Sequence, residues 1–264
     1  MQGVKEKKRN LLKDILKKRS IVCLTAYTAT IAKLVDAYAD LILVGDSLGP
    51  VIYGFKSTRE VDMEMMIRHA ACVVKNSKEA FIVVDMPYGS YEGSKYDALK
   101  NAKKLISSTG AMAVKLEGGK QISDTISFLT KNNISVMGHL GMLPQSLFGK
   151  PKVYGRKKNE KIKLFDDIRA LERSGVFSVV VECTLKNLVD ELVKYSKIPI
   201  IGIGASKECK GQIIVTEDIL GMTTFSSKFS QKYFDFLKKA KRPIKKFTDD
   251  VRNKKYPKKK QCYL

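Results

Sequence analysis

Four apolar runs in this chain end in a carboxylate: Leu41-Ile42-Leu43-Val44-Gly45-Asp46, Phe81-Ile82-Val83-Val84-Asp85, Ala113-Val114-Lys115-Leu116-Glu117 and Val179-Val180-Val181-Glu182. A lone acid after a strand reads first as the N-cap of the next helix. Four such acids read instead as one converging site, because the carboxyl ends of strands carry the chemistry in parallel α/β folds. Residues two apart on a strand share a face, so Lys115 and Glu117 point the same way while Glu182 and Cys183 point oppositely. Inward-facing charges need a partner or a bound cation. Carboxylates without clustered His or Cys favour a hard ion, magnesium ahead of zinc. An ion pair on the rim is the simpler reading of Lys115 and Glu117.

Such acids require a scaffold that gathers strand ends. Strand candidates lie at 20–24, 41–44, 81–85, 112–116, 134–137, 177–181, 199–203 and 212–215. Helical patterns at 61–74, 95–106, 122–131, 165–174 and 185–195 separate most of them. Eight strands alternating with helices predict an α/β protein with a closed (β/α)8 TIM barrel rather than an open sheet. Helical patterns at 225–239 and 244–251 predict a C-terminal extension over 225–264 that ends in a charged tail. One barrel domain spanning 1–264 suits the length.

The net charge is +22, from 49 Lys+Arg against 27 Asp+Glu. The basic residues are spread along the whole chain and most are lysine, with no aromatic-interleaved stripe among them. That distribution predicts loose adsorption to nucleic acid at low salt and no specific recognition. Cys23, Cys72, Cys183, Cys209 and Cys262 are odd in number and form no CxxC pair, so they read as free thiols. No run approaches the roughly 20 apolar residues of a membrane span, and the basic N-terminus leads into no signal-peptide core, so a soluble cytoplasmic protein is expected.

Several ordered segments carry a resemblance. They include Leu24-Thr25-Ala26-Tyr27, Val44-Gly45-Asp46-Ser47-Leu48-Gly49, Asp85-Met86-Pro87-Tyr88 and Val114-Lys115-Leu116-Glu117-Gly118-Gly119. Gly138-His139-Leu140-Gly141, Pro144-Gln145-Ser146, Val181-Glu182-Cys183, Ile201-Gly202-Ile203-Gly204-Ala205 and Gly211-Gln212-Ile213-Ile214-Val215 follow. In order and spacing, from about Leu12 to Pro257, the chain resembles the ketopantoate hydroxymethyltransferase (3-methyl-2-oxobutanoate hydroxymethyltransferase) family. The resemblance implies a magnesium-dependent barrel that transfers a one-carbon unit from 5,10-methylenetetrahydrofolate to 3-methyl-2-oxobutanoate, giving 2-dehydropantoate. It implies Asp46, Asp85 and Glu117 as metal-binding acids, Glu117 through a water. Ser47 and the backbone beside Asp46 would hold the keto acid, Lys115 would meet its carboxylate, and Glu182 would be the base. His139 would line the same pocket, and the assembly would be a homo-oligomer, with decamers common in the family.

Those roles agree with the chemistry of the residues. A 2-oxo acid chelates a hard cation, which stabilises the enolate left when the C3 proton is removed. Glu182 follows a different strand from the other acids and can remain a general base. Its simpler reading is an acid favoured by the N-terminus of the next helix. His69, within an amphipathic helical pattern, reads as structural. The basic segment 150–158 would suit the glutamate tail of a folate. The chain departs from the family at Thr28, usually Asp, at Phe55-Lys56, usually His-Asp, at Ser206, usually Gly, and at Lys210, usually Asp. Two other functions fit the residues less closely: a metal-enolate barrel lyase acting on a related 2-oxo acid, and a basic nucleic-acid-binding protein.

Overall fold

Short runs of aliphatic and β-branched residues, buried on both faces, suit strands of a parallel sheet covered by helices. The computed structural model describes residues 11–18, 20–147, 152–224 and 227–263. Its strands are β1 Ile21–Thr25, β2 Leu41–Val44, β3 Phe81–Asp85, β4 Ala113–Glu117, β5 Val136–Gly141, β6 Ser178–Glu182, β7 Ile200–Ile203 and β8 Gly211–Ile214. They form a closed parallel barrel in sequence order, with β8 pairing back onto β1. The helices between them are α1 Ala29–Val35, α2 Met63–Lys75, α3 Lys95–Thr109, α4 Ser123–Lys131, α5 Lys158–Arg173 and α6 Lys186–Tyr195. The expected (β/α)8 architecture is therefore the observed one.

Strand register decides which side chains face the barrel interior. Cys23 pairs with Leu41, Leu41 with Phe81, Val83 with Ala113, and Asp85 with Lys115. Lys115 pairs with Met137, Glu117 with His139, His139 with Val180, and Glu182 with Ile203. Residues of the same parity on each strand thus share the inside. Towards the strand starts they are apolar, among them Ile21, Leu41, Phe81, Met137 and Ile201. Ile15, from a helical segment at 11–17, packs on this cluster and covers that end. Towards the strand ends, the same parity on β3 to β6 carries Asp85, Lys115, Glu117, His139 and Glu182. On β2, β7 and β8 it carries Leu43, Ile203 and Ile213.

Helix starts follow local capping chemistry. Asp62 accepts the Met65 N–H at 2.8 Å and Ser94 accepts that of Asp97 at 3.0 Å. Thr28 accepts from Ile31 N–H and caps α1. His69 is structural, as expected: Nδ1 contacts the Tyr27 carbonyl at 2.6 Å and Nε2 the Tyr53 hydroxyl at 2.9 Å.

The barrel unit ends at Val215, and a second compact unit begins at Thr216. Within the second unit, α7 spans Thr216–Ile219 and α8 spans Phe236–Arg252. The two helices expected at 225–239 and 244–251 are replaced by this single one. Residues 225 and 226 lie outside the described residues, and 227–235 are not helical. Pro243 sits inside α8, where it removes one backbone hydrogen bond without ending the helix. The Asp235 cap and the pairs Lys245–Asp249 at 2.7 Å and Lys246–Asp250 at 2.8 Å support it on either side.

All five cysteines are free thiols. Among the described residues no helix is long and apolar enough to cross a membrane. Of the basic segment 150–158, residues 150 and 151 lie outside the described residues. Lys152 is spent on Glu160 at 3.4 Å and on the Tyr154 ring, 4.5 Å from its centroid.

Closure of the barrel tests the packing directly. A methyl group on Gly211 would lie 2.4 Å from the Ile21 carbonyl oxygen and 2.9 Å from Ile201 Cδ1. Gly211→Ala is expected to lower stability by about 1–3 kcal/mol through overpacking. Urea unfolding checks this, and an unchanged midpoint would show that the β8–β1 seam yields.

Candidate active site

Asp46, Ser47, Asp85, Lys115, Glu117, His139 and Glu182 all line one cavity of about 120 Å³ at the carboxyl ends of the strands. Every residue given a metal, substrate or base role in the sequence is therefore brought to the same place. Adjacent strands supply the contacts. Lys115 Nζ lies 2.7 Å from Asp85 Oδ1, its register partner on β3. On the other side, Lys115 Nζ is 3.5 Å from His139 Nδ1. His139 bridges two acids, with Nδ1 3.4 Å from Glu117 Oε1 and Nε2 3.2 Å from Glu182 Oε2. The Glu182 side chain is 13% exposed against 4% for His139, which makes it the acid most open to an incoming molecule.

Asp46 stands in the loop after β2, and its backbone N–H donates to Asp85 Oδ2 at 3.1 Å. That approach needs Gly45, where a Cβ would lie 2.9 Å from Ser47 Oγ and 3.3 Å from Asp85 Oδ2. Ser47 Oγ is 2.7 Å from the hydroxyl of Tyr27, a fully buried side chain.

The electrostatics follow from burial. Burial pushes the Asp46 carboxyl well above the usual range, and the neighbouring charges of Asp85 and Glu117 push it further. Burial alone would lower Lys115, but Asp85, Glu117 and Asp46 outweigh it and hold the ammonium charged. Burial and Lys115 likewise press His139 down, yet the Glu117 and Glu182 carboxylates beside its ring raise it to about 9. Lys115 and His139 thus set positive charge among the four acids, and the raised Asp46 carboxyl marks where that charge falls short.

The donor set suits magnesium, which binds through one or two carboxylates and keeps several waters or substrate oxygens. Asp46 and Asp85 are hard donors side by side. Among the described residues, no three His, Cys, Asp or Glu side chains are placed to hold an ion by themselves.

Gln145 is the residue whose role sequence reasoning missed. It is buried in the short turn after β5 and bonds to Asp46, Glu117 and Tyr91. No periodicity marks such a turn residue, and its only signal was its place within Pro144-Gln145-Ser146.

The family model for ketopantoate hydroxymethyltransferase matches residues 6–259. The chain belongs to this family. A 3-methyl-2-oxobutanoate hydroxymethyltransferase from Rhodospirillum rubrum is 42% identical over 264 residues, covering 97% of this chain and 95% of its own length. One from Pelagibacter ubique is 46% identical over 246 residues, covering 93% and 95%. Among solved structures, phosphonopyruvate hydrolase in complex with oxalate and Mg2+ has a TM-score of 0.63 at 12% identity, covering 93% of this chain and 87% of its own. A 2,3-dimethylmalate lyase of the PEP mutase/isocitrate lyase superfamily has a TM-score of 0.61 at 12% identity, covering 96% and 89%. These two share the barrel fold.

Lys115 neutralises acids that the barrel has already desolvated. Lys115→Met should lower the stability of the metal-free protein by about 3–5 kcal/mol, because it leaves buried carboxylates uncompensated. Chemical denaturation in the presence of a chelator measures it. A variant as stable as the wild type would show that the acids take up protons at little cost.

Proposed function

We propose that this chain transfers a hydroxymethyl group from 5,10-methylenetetrahydrofolate to 3-methyl-2-oxobutanoate, giving 2-dehydropantoate for pantothenate synthesis. The observation that carries the reading is one small cavity, in a member of this family, where a cluster of buried acids and Lys115 stands beside the more exposed Glu182. Asp46 and Asp85 would hold magnesium, with Glu117 acting through a water. When bound, the ion supplies positive charge to the carboxylate and keto oxygens of the substrate.

The chain's own residues do the rest. Lys115 meets the substrate carboxylate and adds a second positive charge. Ser47, fixed by Tyr27, and the backbone beside Asp46 orient the same end. Val180, Ile203 and Ile213 offer an apolar wall for the branched alkyl group. Ile203 is the register partner of Glu182, so that wall adjoins the proposed base. Glu182 takes the C3 proton, and the resulting carbanion attacks the folate-borne methylene carbon. Both C–N bonds of the methylene break, its carbon ends bonded to C3 and to the oxygen of one water, and the two nitrogens of the departing tetrahydrofolate take up the proton lost from C3 and one from that water. His139 lines the substrate pocket and holds Glu182 and Glu117 in fixed relation.

A cytoplasmic homo-oligomer, decameric as is common in the family, completes the proposal. Light scattering tests the assembly, and a monomeric mass would remove that part. Assay with both substrates and magnesium, following 2-dehydropantoate, tests the activity. Conversion of the oxo acid without folate would favour a lyase instead.

Two further outcomes separate metal from base. Asp46→Asn and Asp85→Asn should each weaken magnesium binding and activity together while leaving the circular dichroism spectrum unchanged. In the wild type, protons compete for the raised Asp46 carboxyl, so magnesium affinity should fall as the solution is acidified. Calorimetry showing wild-type affinity in both variants would remove these residues from the metal site.

Glu182→Gln, by contrast, should retain magnesium and oxo-acid binding. It should lose exchange of the substrate C3 proton with solvent deuterium, a step that needs the base and not the folate. Proton NMR follows the exchange, and a wild-type rate would assign the base elsewhere, with His139 tested next.

A further inference from the structure

Gln145 has no part in the steps above, yet it ties together two of the proposed metal-binding acids. Its backbone N–H donates to Glu117 Oε2 at 2.9 Å. Its side-chain Nε2 donates to Asp46 Oδ2 at 2.7 Å and to the Met86 carbonyl at 2.9 Å. The Tyr91 hydroxyl donates to Gln145 Oε1 at 2.6 Å and accepts from the Glu117 backbone N–H at 3.2 Å.

The direction of this chain is forced at both ends, since the Glu117 backbone N–H can only donate and the Met86 carbonyl, which shares Gln145 Nε2 with Asp46, can only accept. Hydrogen bonds therefore run from Glu117 N–H to Tyr91 Oη, from Tyr91 O–H to Gln145 Oε1, and from Gln145 Nε2–H to Asp46 Oδ2. The amide has one orientation that satisfies every partner. Arg59 fastens the turn from outside: its Nε donates to the Gln145 carbonyl at 2.6 Å, and its guanidinium lies 4.4 Å from the centroid of the Tyr88 ring.

One oxygen of each acid is thereby engaged. Asp46 Oδ2 is held by the Gln145 amide, Glu117 Oε2 by the Gln145 backbone and Asp85 Oδ2 by the Asp46 backbone. Calcium accepts bidentate carboxylates and irregular geometry, whereas magnesium demands a near-octahedral shell at shorter distances. Asp85 Oδ1 faces Lys115 at 2.7 Å and Glu117 Oε1 faces His139 at 3.4 Å, so Asp46 is the acid whose second oxygen the Gln145 amide decides, and one oxygen on a rigid support suits the smaller ion.

We propose that Gln145 is a positioning residue that withholds Asp46 Oδ2 from the cation and so biases the site towards magnesium over calcium. The proposal rests on the reading of Asp46 and Asp85 as metal ligands. A purely stabilising role would weaken both ions alike when Gln145 is changed. A positioning role shifts their ratio.

The test is calorimetric titration of magnesium and of calcium, separately, into the full chain as wild type, Gln145→Met and Tyr91→Phe. Thermal midpoints of the metal-free proteins are measured in parallel. Gln145→Met should lose about tenfold in magnesium affinity, the usual scale for losing an outer-shell partner. Calcium affinity should hold or rise, because Asp46 gains a second free oxygen. Tyr91→Phe should move the ratio the same way by less, and it decides the matter if Gln145→Met does not fold. An unchanged magnesium-to-calcium ratio in the folded variants would overturn the proposal while leaving the metal reading intact. A wild-type chain that binds neither ion would overturn the metal reading and the proposal with it.

Discussion

The contact between Lys115 and Asp85, 2.7 Å long and almost fully buried, is the interaction on which the barrel mouth depends. Desolvating a carboxylate is expensive, and the mouth desolvates several within a few ångströms of one another. Lys115 stands among them, with Asp85 on one side and His139 on the other. Its strand places it there by register alone, one rung across from Asp85. His139, raised by the same two acids, extends the compensation to Glu117 and Glu182. The Asp46 carboxyl, raised by burial and by its acidic neighbours, marks where compensation is incomplete.

Much of this was legible in the sequence because the signals were strong and local. Unbroken apolar runs define β2 and β3 at their expected bounds, and strand alternation put Lys115 and Glu117 on one face before any contact was known. Legibility failed where glycine or proline weakened the signal. The fifth strand was expected at 134–137, but it runs from Val136 to Gly141 and carries His139 at its centre. Gly138 depresses strand propensity there and is needed for packing, since a Cβ would lie 2.8 Å from Leu171 Cδ1. Pro243 suggested a break that α8 does not make. The seven-residue α1 was too short for periodicity to reveal. Gln145 was invisible for a different reason: its partners come from three distant loops and strands, and sequence spacing carries no trace of them.

Thr28, Phe55, Ser206 and Lys210 are each tied into the fold. Thr28 caps a helix, and the Ser206 hydroxyl bonds to Asp190 on α6. Phe55 stacks on Tyr53, with ring centroids 5.3 Å apart, and the Lys210 carbonyl accepts the Ile21 N–H at 2.9 Å. None of the four lines the cavity that gathers the acids. Loop substitutions can accumulate at such places while the register that sets the charged side chains remains as it was.

That register also divides the mouth of the barrel. Its charged strand side chains come from β3 to β6, with Asp46 added from the loop after β2, and the facing strands β7, β8 and β2 themselves offer Ile203, Ile213 and Leu43. A small molecule with an anionic head and a branched hydrocarbon tail therefore meets a polarised chamber. Only one of its two end-for-end placements satisfies both halves, so the chamber sorts head from tail before any bond is made or broken.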